Sequence, residues 1–116
     1  MTRLVPAALA ALALSAPARA ADDPKAVEFF ESKIRPVLVE QCYKCHSAEA
    51  EKANKLRGGL RLDTKAGWQK GGDTGPAIVP GKPGEGSLIR SLKYDGEIQM
   101  PPKGKLPAAV VADFEK

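Results

Sequence analysis

Aromatic side chains are scarce in this chain: three phenylalanines, two tyrosines and one tryptophan among 116 residues. Histidine occurs once, cysteine twice, and methionine once beyond the initiator. Each shortage excludes something. A four-ligand zinc site finds no second cysteine pair and no second histidine. No segment reads as a buried parallel strand, so the βαβ scaffold that usually carries a thiol–disulfide couple is missing. No charge run is long enough to be a tail, and a formal charge of +4 is too weak and too evenly spread to point to nucleic acid.

Long apolar runs are also absent, with one near-exception. The chain opens MTRLVPAALAALALSAPARA. Arg3 is a short positive region, Leu4 to Ala16 an apolar one, and Ala18-Arg19-Ala20 a small-x-small cleavage pattern. The apolar stretch is shorter than the ~20 residues of a spanning helix. Residues 1–20 therefore read as a secretory signal peptide, cut before Ala21. Cleavage removes Arg3 and Arg19 but no acidic residue, so the formal charge falls from +4 to +2. Residues 21–116 are then one exported domain, periplasmic or otherwise outside the cytoplasmic membrane, with no stable membrane insertion. A domain of this size buries only ~60–70% of its unfolded surface. With so few aromatics, something besides side chains is expected to fill its core.

What is present is mainly helical in pattern. Asp23 and Pro24 suit a helix start as cap and first residue. Val27, Phe30, Ile34, Val37 and Leu38 follow at helical spacing, with Pro36 expected to kink or split the helix. Nine of the eleven glycines then fall within residues 57–86, a long Gly/Pro-rich loop. Inside it, Leu60 and Leu62 alternate with Arg61 in a short extended piece. Asp63 or Thr64 caps a short helix over Lys65 to Lys70, stopped by Gly71-Gly72. A further helix is predicted over Ser87 to Tyr94 with Leu88, Ile89 and Leu92 inward, ended by Asp95-Gly96. A last one begins near Pro107, with Val110, Val111 and Phe114 inward; it is cut off in mid-pattern, as in a piece of a longer protein.

Both cysteines and the sole histidine lie in one heptapeptide, QCYKCHS, Gln41 to Ser47. Cys42-Tyr43-Lys44-Cys45-His46 matches Cys-x-x-Cys-His, the attachment pattern for c-type haem. On a helical turn, thiols three residues apart reach two vinyl groups on one side of a porphyrin. The next residue turns its imidazole toward the iron. Export agrees with this chemistry, and so does the meagre core. A second axial ligand is needed for electron transfer with a closed site. Met100 is the candidate, placed in an irregular loop before Pro101-Pro102. If Met100 is not the ligand, a lysine takes its place or the site is open.

These residues resemble the small c-type cytochromes, and more narrowly the planctomycete-type cytochrome c domain. The resemblance is carried by FFESKIRPVLVEQCYKCHS, GGLRLDTKAGWQKGGDTGPAIVPGKP, SLIRSL and MPPKGKLP. It implies an all-α domain wrapped around one haem c. Cys42 and Cys45 would form the thioethers, and His46 and Met100 would hold the metal. It also implies a carbonyl acceptor for the ligand histidine, for which Pro76 is the candidate. Trp68 either donates to a haem propionate or packs under the loop. Arg57 and Arg61 either pair with propionates or are solvated. Lys44, Lys103 and Lys105 either ring the haem edge, steering an acidic partner, or are plain surface. The expected function is electron transfer to or from an attached catalytic domain or a separate redox protein, not catalysis. The alternative is a haem-based sensor or a peroxidase-like site with an open or displaceable sixth position.

Overall fold

The computed structural model describes residues 23–116, so the leader and its cleavage site lie outside the described residues. The first helix, α1, is built from four consecutive pieces: α-helical Pro24–Phe29, a π-helical turn Phe30–Ile34, α-helical Arg35–Val37 and a second π-helical turn Leu38–Cys42. Asp23 caps it, its side chain accepting the Lys25 N–H at 3.0 Å, with Pro24 in the first turn. Pro36, expected to kink or split the helix, sits in the short α-helical piece between the two π-helical turns, and the helix runs on past it to Cys42. A proline ring clashes with the carbonyl four residues back, here Ser32, in a regular α-helix. The chain answers by widening: the Arg35 N–H reaches back five residues to the Phe30 carbonyl. The Tyr43 N–H does the same to Leu38 at 2.9 Å.

Four shorter helices follow: α2 (Ala48–Lys52), α3 (Lys65–Lys70), α4 (Ser87–Leu92) and α5 (Ala108–Glu115). The described residues form no strand, and their β-type pairing is a single isolated bridge between Gly72 and Gly75. The architecture is helical, in keeping with an all-α class. Helix α3 has the expected bounds: the Thr64 hydroxyl accepts the Gly67 N–H at 3.0 Å, and Gly71 closes it at φ 74°. Helix α4 is shorter than its apolar pattern, with Lys93 as C-cap and Tyr94 beyond it. Helix α2 was not legible in the apolar spacing. Its signal is Ser47, which accepts the Ala50 N–H at 3.1 Å, followed by an alanine- and glutamate-rich turn.

Two small apolar clusters hold these elements. Leu38 of α1 buries against Leu62 and Ala77, with Ile34, Tyr43, Leu60 and Trp68 packed around them. Ile89 and Leu92 of α4 bury against Val111 of α5. Leu88 and Phe114 touch both clusters and join them. Helix α5 thereby lies against α4 and against the first π-helical turn of α1. No helix among the described residues is long and apolar enough to cross a membrane.

Candidate functional site

The second π-helical turn delivers Cys42 at its end, and the chain then folds tightly. The Cys42 carbonyl accepts the Cys45 N–H at 3.2 Å and the His46 N–H at 3.0 Å. This turn brings both free thiols and the imidazole into the lining of a cavity of about 260 Å³. Burial pushes the Cys42 thiol up to about 11, so its sulfur stays uncharged at neutral pH, as a thioether is.

His46 is gripped by the segment that follows the glycine pair. Its carbonyl accepts the Leu62 N–H, and its ring Nδ1 lies 3.0 Å from the Leu60 carbonyl oxygen. A carbonyl only accepts, so Nδ1 carries the proton and donates. Nε2 keeps its lone pair for a metal. The acceptor is therefore Leu60 and not Pro76, whose carbonyl takes the Ser87 N–H at 3.1 Å. The reason is local: the Leu60–Leu62 segment runs directly alongside Cys45 and His46, with the Arg57 N–H donating to the Cys45 carbonyl at 3.1 Å. Gly58 and Gly59, at φ 60° and 62°, turn the chain into that position. The neighbouring strand of loop has no room for a side chain. A Cβ on Gly72 would sit 2.3 Å from the Gly58 oxygen.

Asp63 ends the gripping segment and ties it to α2. Its carboxylate accepts the Ala48 N–H at 3.0 Å and the Arg61 Nε–H at 3.3 Å. Partial burial works to raise its pKa, but the Ala48 and Arg61 bonds outweigh it and hold the carboxyl below its ordinary value. A depressed folded pKa stabilises the fold above the ordinary carboxylate range, and that contribution fades as pH falls through the folded value. Asp63→Ala should cost about 1 kcal/mol at neutral pH, the usual loss for a cap. The gap from wild type should close on acidification below about 4. Thermal melts across pH check this, and a gap that widens in acid refutes the tie.

Helix α4 and the loop after it line the same cavity, through Leu88, Ser91 and Leu92 and through Met100, Pro101 and Pro102. The Met100 N–H donates to the Ser91 carbonyl at 3.0 Å, and the Met100–Pro101 peptide is cis. Arg57 also lines the cavity, whereas Arg61 does not. Alternation sends Leu60 and Leu62 inward and Arg61 outward, to Asp63 and, at 3.6 Å, Glu51. Trp68 is likewise outside this cavity. It packs beside Leu38 and Leu62 and lines a larger apolar cavity of about 460 Å³ with Phe29, Phe30 and Phe114, which contains no cysteine, histidine or methionine. Sequence reasoning missed the roles of Leu60 and Ser91, because both act through backbone carbonyls that carry no residue-type signal.

Among the described residues no three His, Cys, Asp or Glu side chains converge as a metal-holding group. The residues present are instead two cysteine thiols, an imidazole and a thioether in the lining of one largely apolar cavity. That chemistry fits a covalently held haem. No curated protein and no solved structure matches the chain. A family model described as Planctomycete cytochrome C does match it, over residues 42–104, from the first cysteine to just past the methionine loop. The cavity and the match cover the same stretch of chain, and the protein belongs to the planctomycete cytochrome c family.

Proposed function

We propose that this domain transfers single electrons through one haem c, whose iron His46 and Met100 would hold. The observation that carries the reading is a shared cavity. Cys42, Cys45 and His46, and Met100 far from them in sequence, all line one apolar cavity. Bound haem supplies a ferric–ferrous couple, and sulfur ligation raises its potential relative to two nitrogen ligands. Everything else falls to the chain. Cys42 and Cys45 would hold the haem covalently, each as a thioether. The Leu60 carbonyl fixes the tautomer and direction of the His46 ring. Leu62, Leu88 and Leu92 keep water from the ring faces. Arg57 lines the cavity, which supports it as a partner for haem carboxylates. Lys44, Lys103 and Lys105 are all exposed, as docking to an acidic redox partner or attached domain would require.

The reading includes export, since this attachment is made outside the cytoplasm, and it makes the domain an electron carrier rather than an enzyme. The test is intact mass and spectroscopy of the protein matured in a host competent for cytochrome c assembly. The expected mass is a chain starting at Ala21 plus one haem that resists acid-acetone extraction. Extractable haem, or none, overturns the proposal. Rapid carbon monoxide binding to the reduced wild type would favour the sensor or peroxidase-like reading instead.

A further inference from the structure

Helix α4 ends in a way that its sequence makes costly. The Tyr94 N–H donates to the Ser91 carbonyl at 3.1 Å and the Asp95 N–H to the Arg90 carbonyl at 3.0 Å. These two bonds are the Schellman pattern, whose left-handed position usually takes glycine. Here that position is Tyr94, at φ 57°. A bulky aromatic residue rarely adopts this conformation, and one that does points to a use for its side chain. The use is visible. The half-buried Tyr94 hydroxyl donates to the Pro101 carbonyl, the residue directly after Met100. On the other side of Met100, its own N–H is held by the same Ser91 carbonyl that accepts from Tyr94.

We propose that Tyr94 is the positioning residue that keeps Met100 at the cavity wall, so that the helix end sets how tightly the sixth position is closed. The proposal rests on Met100 as the axial ligand. Met100 is bracketed by two bonds, one from its own backbone and one from Tyr94. Only the second depends on a side chain. Without the hydroxyl, the Pro101 side of the loop is free to swing, and the sulfur is more often displaced by a competing ligand.

The test uses the haem-loaded protein and two variants. Tyr94→Phe removes the hydroxyl alone. Tyr94→Gly removes the whole side chain but supplies the residue that the helix end prefers, so the fold is retained even if the phenylalanine variant fails to accumulate. In both, carbon monoxide should bind the ferrous form, and imidazole the ferric form, about 3- to 10-fold more readily than in wild type, the range expected for one lost hydrogen bond. The global melt of Tyr94→Gly should not fall. A merely structural tyrosine predicts the reverse: unchanged ligand access in both variants, which would overturn the inference. Absence of an iron–sulfur charge-transfer band in the wild type would instead overturn Met100 ligation, and the inference with it. A wild-type band with unaltered variants removes Tyr94 alone.

Discussion

Met100→Ala should abolish the weak red charge-transfer band of the oxidised holoprotein, open the ferrous form to carbon monoxide, and lower the reduction potential. Axial ligands move haem potentials across a span of about 0.8 V, so the shift is expected to be a sizeable part of that range. The sequence holds no other methionine beyond the initiator. No second thioether can therefore rescue the variant. The neighbouring Lys103 and Lys105 can supply nitrogen at raised pH, but nitrogen restores neither the band nor the potential. A variant that keeps the band would show that another group closes the site.

The paired variant Cys42→Ser/Cys45→Ser should lose cooperative folding altogether. Among the described residues, the buried apolar side chains are Leu38, Ala50, Leu62, Ala77, Ile89, Leu92 and Val111, and two of these are alanines. No large side chain among them is completely buried. Cys42 itself packs against the Leu38–Leu62–Ala77 cluster, so the tether and the core are the same place. A haem that cannot be anchored leaves two small clusters joined only through Leu88 and Phe114. Circular dichroism should show little helix and no sharp thermal transition. A sharp melt would mean that the polypeptide core suffices, and that small domains of this composition fold without a staple.

The attachment pattern, the caps at Asp23 and Thr64 and the inward leucines of α4 were legible because each depends on residue type at a fixed spacing. The partner of His46 was not. Proline stood out in the sequence as a candidate, but hydrogen bonding to a carbonyl is blind to the side chain, and the fold places Leu60 there instead. Arg61 was open between a propionate and solvent; the fold pairs it with Asp63, on the other side of the chain from Leu60 and Leu62. Tyr94 carried no signal at all until its backbone angle was seen. Its hydroxyl matters only because α4 ends where it does.

The two widened turns of α1 also act as phase shifters. An α-helix advances about 100° per residue, so one extra residue in a turn lets the chain run on without rotating everything after it. Phe30–Ile34 and Leu38–Cys42 each take up such a surplus, the first just before Pro36 and the second just before the haem-attachment turn. The direction in which Cys42 leaves the helix is thus uncoupled from the length of helix before it. Deleting one residue from the first widened turn would tighten it to ordinary pitch and leave the sulfur aimed as before.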